Sequence, residues 1–305
     1  MEIKFNIFRK DDDSERYQEY NLDITSGMSI SECLMAIKHK QDGTLSFRVG
    51  CRNGICGICA LKVNGKPVLG CKTKAINLLK NNQITIEPLD NLPIIKDLIV
   101  DMEPFFDCQN QIQPWLEETN VPETENLMSQ KETEILDKVS SCIQCGACYS
   151  TCEVIDIDKE FVGPASIIKN QRYKEDKRDN LNRTKQQNKE HNVWDCTNCV
   201  KCDDVCPEDI APLKVIKEIR KQIINKKYNS KGVTHHKSFL KSIEKNGLLN
   251  EAIYPLQAIS YNIFRLKEIL PVGLRLIKKG KAPDFIQKPI KKLSEVKRLF
   301  KEVKE

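Results

Sequence analysis

The sequence predicts an α+β protein in which an N-terminal β-grasp domain precedes an all-α domain and a helical C-terminal extension. Three observations point to this class: apolar residues alternate near the N-terminus, helical spacing prevails from residue 131, and no cysteine follows residue 233. The chain has 305 residues, of which 40% are hydrophobic and 30% are charged. This composition is typical of a folded globular protein, and the length suits two domains of ordinary size.

Residues 1–104 carry the pattern of the predicted β-grasp domain. Ile3, Phe5 and Ile7 alternate with polar residues, which predicts a half-buried strand. The polar stretch at residues 11–16 then turns the chain into a second strand.

A helix, a hairpin and a closing strand complete this domain. Ser29 and Glu32 have the spacing of a capping box and predict the start of a helix. Asn64-Gly65 lies between two apolar runs, which is a strong hairpin signal. The segment QITIEPL, residues 83–89, supplies the last strand.

Three further parts follow the first domain. Residues 105–130 contain Pro114, Pro122 and many acidic residues, and predict a connector with one short helix. Residues 131–231 hold two cysteine groups within helical patterning, which predicts an all-α domain. Residues 232–305 predict a helical and basic extension, and we expect it to dock a partner.

Apolar residues recur at near-helical spacing inside this extension. They predict a helix with one apolar face, which either packs within the chain or docks a partner, with the lysines from 278 to 292 at its rim. The residues are Leu248, Leu249, Ala252, Ile253, Leu256 and Ile263.

The first cysteine group predicts a [2Fe–2S] site. Its spacing is C-x4-C-x2-C, as in plant-type ferredoxins, with a fourth cysteine beyond the Asn-Gly hairpin. Gly54 and Gly57 permit the positive φ angles that let a loop wrap two irons while its N–H groups point at sulfur. Zinc is disfavoured because zinc ribbons pair two C-x2-C motifs and this group has one. The predicted ligands are Cys51, Cys56, Cys59 and Cys71.

The second and third groups are an internal repeat with the C-x2-C-x2-C-x3-C spacing of bacterial two-cluster ferredoxins. A tight turn presents three thiolates to one cubane, while the fourth cysteine points outward to the other cubane. Two [4Fe–4S] clusters with exchanged fourth ligands are therefore predicted, and the second becomes [3Fe–4S] if Cys199 does not bind. The first cubane takes Cys142, Cys145, Cys148 and Cys206, and the second takes Cys196, Cys199, Cys202 and Cys152.

Four remaining residues receive no redox role. Cys33 lies on the apolar side of the predicted Ser29 helix and is interpreted as a small buried side chain. Cys108 lies in the connector and receives the same interpretation. His235 and His236 form a pair that could bind metal, but surface histidines are commoner and we assign them no chemistry.

The N-terminus and the net charge limit the cellular locations and the kinds of partner that the sequence predicts. MEIKFNIFRK has no apolar core and no cleavage site, so we expect a cytoplasmic protein whose cysteines bind metal. The most apolar window, residues 248–266, contains charged and amide residues, so no membrane span is expected. The formal net charge is +6, and three oxidised clusters of about −2 each would bring it near neutral, which disfavours nucleic acid as a partner.

The order of motifs resembles the iron–sulfur subunit of succinate dehydrogenase and fumarate reductase. The resemblance covers residues 1–225 and rests on RNGICGICA (52–60), FVGPASIIKNQRYKEDKRD (161–179) and WDCTNCVKCDDVCP (194–207). It implies a flavoprotein partner that carries FAD. It also implies that the [2Fe–2S] domain faces this partner. It also implies that this chain has no acid, base or nucleophile of its own, because it would only carry electrons.

Two departures from the family pattern set the expectations for the acceptor side. Cys199 fills a position that the usual members lack, which is why a full cubane is expected. The usual members have a proline after the fourth cysteine of the first run, tryptophans close behind it, and a histidine after the first cysteine of the second run, and these residues help to build the quinone pocket. Here the corresponding residues are Glu153, Val154 and Thr197. A standard quinone site is therefore not expected.

The extension carries a second resemblance, in residues 232–257 and 270–285, to the heterodisulfide reductase component that hands electrons to a partner with cysteine-rich CCG motifs. It implies an acceptor-side partner of this CCG type, as in thiol-driven fumarate reductases, and no such motif occurs in this chain. The alternatives are a quinone-linked succinate dehydrogenase with a membrane anchor, or a free-standing electron carrier. A zinc-binding nucleic-acid module is separated from all of these by colour, because an iron–sulfur protein is brown.

Overall fold

The computed structural model divides into two compact units, Met1–Lys221 and Gln222–Glu305, which are described separately below. The residues that it describes are 1–12, 14–118, 123–259, 263–284 and 287–304.

A five-stranded mixed sheet forms the N-terminal part of the first unit. Strand β1 pairs antiparallel with β2 and parallel with β5, so the order across the sheet is β2-β1-β5-β3-β4. The strands are β1 (Glu2–Lys10), β2 (Glu15–Asp23), β3 (Ala60–Val63), β4 (Lys66–Leu69) and β5 (Gln83–Glu87), and a small hairpin follows with β6 (Ile94–Lys96) and β7 (Ile99–Val100).

The core of this sheet follows the predicted alternation. The inward residues of β1 are fully buried and pack against helix α1, Ile30–Lys40. Ser29 caps the helix, and its side chain and that of Glu32 form the predicted capping box. Burial of each large aliphatic side chain contributes about 1.5–3 kcal/mol. The buried residues of β1 are Ile3, Phe5 and Ile7.

Arg9 occupies the next inward position of β1 and is only 4% exposed. Its guanidinium donates to Asp97, at 3.0 Å in the β6–β7 hairpin, and also to Asp42. A buried arginine is tolerable only when paired, so this network fixes the hairpin to the sheet.

The Asn-Gly hairpin forms as predicted. Asn64 and Gly65 have φ angles of 49° and 81°, the left-handed pair that a two-residue hairpin requires. Ala60 pairs with Leu69 across β3 and β4, so Cys59 and Cys71, just outside this pair, are brought to one end of the hairpin.

Every regular element after β7 is a helix within the described residues. Helices α3 and α6 pack together, and α6 is buried along most of its length. The helices that begin in the first unit are α2 (Glu103–Asn110), α3 (Gln130–Ser140), α4 (Ala147–Ser150), α5 (Glu153–Ile157), α6 (Gly163–Glu175), α7 (Arg183–Gln187), α8 (Lys201–Asp204) and α9 (Pro212–Asn225).

Arg183 anchors the connector that precedes α3. Its side chain is 1% exposed and donates to the backbone carbonyls of Ile112 and Trp115, each at 2.7 Å. Asp179 accepts from the same guanidinium at 2.7 Å. The connector holds helix α2 and is fixed to the helical domain at this point.

The second unit contains helices α10 (Lys231–Asn246), α11 (Tyr254–Ala258), α12 (Ile263–Lys278) and α13 (Leu293–Lys304), and α10 packs against α11 and α13. The prediction of one helical apolar face from residue 248 was wrong. Gly247, at a φ of 76°, ends α10, and helix resumes only at Tyr254. The side chain of Ile263 lies outside the described residues. No helix in the described ranges has the length and apolarity to cross a bilayer.

Candidate iron–sulfur centres

The loop before β3 surrounds its cysteine sulfurs with backbone N–H groups. The backbone nitrogens of Asn53 and Cys56 each lie 3.4 Å from the Cys51 sulfur. The nitrogen of Gly54 lies 3.3 Å from the sulfur of Cys71, on the far side of the hairpin. N–H groups directed at sulfur stabilise thiolates and the clusters that they bind.

Positive φ angles produce this wrapping. Gly54 and Gly57 have φ angles of 74° and 71°, as predicted, and Arg52 joins them at 61°. The N–H donors lower the pKa of Cys51 to about 6, whereas burial raises that of Cys59 to about 11. A buried thiol of this kind becomes a thiolate when a metal supplies the compensating positive charge.

The second centre brings together residues that are far apart in the sequence. Cys206 lines one cavity with the first three cysteines of the earlier run, and Pro207 and Pro212 also line it. Burial is the main cause that raises the pKa of each of the three, and the charge of Cys206 adds to it. The three are Cys142, Cys145 and Cys148.

Cys152 lies instead with the later run. Burial raises its pKa, and the charges of Cys196 and Cys199 add to the rise. Burial also raises the pKa of Cys202 to about 12, with Cys152 among the neighbouring charges that contribute. The fourth cysteine of each run therefore lies beside the first three of the other run.

The two cysteine runs have matching backbones. Gln144 and Asn198, two residues after the first cysteine of each run, have φ angles of 56° and 61°. Gly146 and Val200, four residues after it, have φ angles of 78° and 72°. Each left-handed pair turns the chain tightly enough to direct three thiols to one side.

The three centres are neighbours within the first unit. The backbone at Gly57 is so close to the first run that an added Cβ would lie 2.9 Å from the Ile143 carbonyl oxygen and 3.0 Å from the Cys145 Cα. A cavity of about 420 Å³ is lined by cysteines of the first loop and by Cys145. Cys202 is among the charges that raise the pKa of Cys148, although burial is the larger cause.

Hydrogen bonds hold the sheet domain on the helical domain. Asn91 donates to the carbonyls of Tyr149, Ser150 and Cys152 at 3.1–3.2 Å. Lys72 follows Cys71, and Pro207 follows Cys206. The Lys72 side chain donates to the Pro207 carbonyl at 3.1 Å.

The two remaining cysteines lie in apolar surroundings. Cys33 is fully buried in the sheet-domain core, and burial raises its pKa to about 12. Cys108 is buried on α2 near the Phe161 carbonyl, and burial raises its pKa as well. Both positions agree with the interpretation of small buried side chains. All 14 cysteines are free of disulfides.

The histidine pair of the extension forms no metal site with the neighbours that the structure describes. The ring of His235 packs edge-to-face against Tyr254 and bonds to its hydroxyl. Sequence patterns did not single out a different histidine, His191, whose ring lies 3.0 Å from an oxygen of Asp158 and 2.9 Å from one of Glu160. These are ion pairs at the surface, beside the segment that leads into the later run.

Sequence reasoning also missed Arg220. It lies on the apolar side of α9, is 9% exposed, and donates to the carbonyl of Cys196 at 2.7 Å. The sequence did contain a signal for it. Arg220 shares one helical face with Ile216, Ile219 and Ile223, and an arginine on an apolar face needs a buried partner.

The residues of all three groups fit iron–sulfur clusters. They offer soft sulfur donors in sets of four, N–H groups directed at sulfur in the first loop, and buried thiols whose ionisation needs a metal. Fold and site together define the class: an electron-transfer protein with a [2Fe–2S] domain followed by a [4Fe–4S] domain.

Comparison with known proteins agrees with this class. Residues 4–107 match the family described as a 2Fe-2S iron-sulfur cluster binding domain, and residues 138–210 match the 4Fe-4S dicluster domain. The fumarate reductase iron-sulfur subunit of Mycobacterium tuberculosis is 35% identical over 209 residues, which are 67% of this chain and 84% of the relative.

Two further comparisons agree. The mitochondrial succinate dehydrogenase [ubiquinone] iron-sulfur subunit 1 of Oryza sativa is 32% identical over 228 residues, 71% of this chain and 80% of the relative. A chain of the Mycobacterium smegmatis Sdh1 complex in the apo form has the same fold, with a TM-score of 0.70 at 24% identity over 75% of this chain and 98% of that one. The chain belongs to the family of iron–sulfur subunits of fumarate reductase and succinate dehydrogenase, and is an electron-transfer subunit of an oxidoreductase.

Proposed function

We propose that this chain passes single electrons through three clusters, between the FAD of a flavoprotein subunit and an acceptor-side subunit of the CCG type, linked to thiols or quinone. Cysteine thiolates would hold the clusters, and the clusters would supply the redox chemistry. The sets are Cys51, Cys56, Cys59 and Cys71 for [2Fe–2S], Cys142, Cys145, Cys148 and Cys206 for the first [4Fe–4S], and Cys196, Cys199, Cys202 and Cys152 for the second.

The observation that supports this proposal best is the exchange of fourth cysteines. Cys206 shares a cavity with the earlier run, and Cys152 lies among the charges of the later run. Two isolated zinc sites would have no need of this exchange, whereas two-cluster ferredoxins use it. The exchange also forces the two centres to be adjacent, which single-electron transfer requires.

The order of the path follows from the contacts. The first loop touches the earlier run at Gly57 and Cys145, so the [2Fe–2S] centre neighbours the first cubane. The charge of Cys202 contributes to the raised pKa of Cys148, so the second cubane would lie next to the first. The protein would act by spacing, burial and hydrogen bonds to sulfur, with no proton transfer in this chain.

Cys199 decides the type of the third cluster. It is exposed, and it occupies the position that Cys145 has in the earlier run. Four thiols are therefore available to the third cluster, which favours [4Fe–4S] over [3Fe–4S].

Iron analysis with EPR spectroscopy tests this cofactor content. Anaerobically purified protein should hold about 10 iron atoms, from one [2Fe–2S] and two [4Fe–4S] clusters. We expect Cys199→Ser to create a [3Fe–4S] signal and to lower the iron content by about one, while the other two clusters stay intact. A major [3Fe–4S] signal in fresh wild-type protein would contradict the role given to Cys199, and zinc in place of iron would refute the proposal.

The second unit supports the acceptor-side partner. Leu270, Leu274 and Ile277 follow one another at helical spacing on α12 and are 50%, 58% and 60% exposed. Basic residues such as Arg275 and Lys278 flank this row. An exposed apolar row with a charged rim is typical of a surface that a partner covers.

A double substitution tests this docking surface without cutting the chain. Leu274→Glu with Ile277→Glu should leave the clusters and the flavoprotein in place, because both side chains are exposed. It should release the acceptor-side subunit and abolish the reaction with the natural thiol or quinol, while fumarate reduction by an artificial dye continues. Leu299→Glu is the matched control, since Leu299 is a similarly exposed leucine, at 57%, on a different helix, α13. A double variant that retains its acceptor-side subunit would show that the row is not the docking surface.

The location is proposed on the state of the cysteines. All of them are free, which suits a reducing cytoplasm, and partners would provide any association with a membrane.

A further inference from the structure

Arg220 is a buried cation beside the later cysteine run. It is 9% exposed, and its guanidinium donates to the carbonyls of Val193 and Cys196 and to the Asn198 side chain. Its guanidinium carbon also lies 5.5 Å from the centre of the Trp194 ring. These contacts hold the charge in one place against the segment that carries the first cysteine of the run.

The partners of Arg220 leave its charge uncompensated. Its acceptors are two backbone carbonyls and an amide oxygen, and no carboxylate in the described parts of the chain forms an ion pair with it. The other buried arginines differ: Arg9 pairs with Asp97, and Arg183 pairs with Asp179. A buried cation without a carboxylate is unfavourable unless another negative charge is nearby.

The guanidinium of Arg220 is fixed against the start of the later run. It donates to the carbonyl of Cys196, the first cysteine of the run, at 2.7 Å, and to the side chain of Asn198 at 3.2 Å. Asp195 lies close to His191 at 3.6 Å, so its charge is shared with that ring. A negative cluster held by the later run would therefore supply the charge that Arg220 lacks.

We propose that Arg220 is a positioning residue that raises the reduction potential of the second cubane by compensating its negative charge. Reduction adds one electron to a cluster that is already negative, so a fixed cation stabilises the reduced form more than the oxidised form. The effect should be selective, because the hydrogen bonds of the Arg220 side chain go to Val193, Cys196 and Asn198. This inference rests on the proposed second cluster.

A redox titration followed by EPR tests the proposal in the full complex. In a Cys199→Ser background the second centre gives its own [3Fe–4S] signal, so its midpoint potential is read without overlap from the first cubane. Arg220→Gln should shift that midpoint to a more negative value and leave the other two clusters unchanged. Arg220→Lys, which keeps the charge, should retain the midpoint of the parent protein.

The same helix offers a matched control for this test. Lys217→Gln removes an exposed positive charge from the same helix, one turn away, and should shift nothing. An unchanged midpoint in Arg220→Gln would overturn the proposal. If Arg220→Gln loses the cluster, a cluster kept at the parent midpoint in Arg220→Lys supports the role of the charge, whereas loss in both variants means that Arg220 only braces the loop. A parent protein without any second-cluster signal would instead refute the proposed function.

Discussion

The two cysteine runs have the same spacing and the same left-handed turns, but their surroundings differ. The loop of the earlier run lies under the sheet domain, where a side chain at Gly146 would meet Met102 at 3.2 Å and Leu89 at 3.5 Å. The loop of the later run, residues 197–200, is exposed, and Val200 is 45% exposed. The same local geometry therefore builds one loop that is partly covered by the sheet domain and one loop that is exposed.

This difference supports the proposed path. Because the loop around Cys199 is exposed, the later run would be, under the proposed function, the side from which an acceptor is reached. The two loops differ in exposure and not in cysteine spacing.

The largest expected effect would break the exchange between the two runs. Cys206→Ser should remove the cluster of the earlier run, and Cys152→Ser should remove the cluster of the later run, with about four iron atoms lost in each case. In a Cys199→Ser background the [3Fe–4S] signal should survive Cys206→Ser and disappear in Cys152→Ser. The reverse pattern would show that each run keeps its own fourth cysteine.

A smaller effect concerns the shared backbone turn. Gly146→Val should destabilise the protein by about 1–2 kcal/mol, because a side chain disfavours the left-handed region and has little room beneath Met102. Val200→Gly should stabilise it by about 0.5–1 kcal/mol, since relief of the strain exceeds the entropy cost of glycine. Thermal unfolding under anaerobic conditions measures both. Equal shifts in the same direction would mean that the two loops are under similar constraints.

The smallest effect concerns the segments that lead into the runs. Helix α3, with its Ser129–Glu132 capping box, precedes the earlier run, whereas the ion pairs of His191 precede the later one. The hydrogen bond to Asp158 raises the pKa of His191 above its ordinary value of 6.5. The ion pairs of His191 therefore contribute fully to the free energy of unfolding below about pH 6.5. This contribution is lost as the pH rises through the raised pKa of His191.

Comparison with His191→Gln measures this contribution. The wild type should be more stable than the variant by less than about 1 kcal/mol at pH 6, and the difference should shrink toward pH 8 because the pairs are at the surface. His39→Gln, at the exposed end of α1, is the matched control. A difference that grows with pH would mean that neutral His191 is the stabilising form.

Local signals in the sequence predicted much of the first domain. The alternation from Ile3 to Ile7, the Ser29 cap and the Asn64-Gly65 turn each depend on residues within a few positions, and each is observed. The buried ion pair of Arg9 was invisible because Asp97 lies 88 residues away. Spacing indicated the chemistry of the cysteine groups, but it could not show which loop would be covered.

In the C-terminal extension, by contrast, the sequence pattern predicted a helix that does not form as one element. Apolar residues between 248 and 256 recur with a helical period, yet Gly247 at positive φ ends the helix before them. Helical periodicity indicates which residues prefer to be buried. It does not show whether they belong to one helix, because a single glycine with a positive φ angle can end that helix. The exposed row on α12 was not singled out, because exposure depends on tertiary packing that a pattern does not contain.

The exchange of fourth cysteines also governs when the proposed clusters can be inserted during biogenesis. Cys206 is synthesised 64 residues after Cys142, and the helices between them must fold before the two meet. Neither cubane can gain its last protein ligand while the chain is still emerging through this region. We expect insertion to be post-translational, with both centres completed in one step and eight thiols left without metal until then.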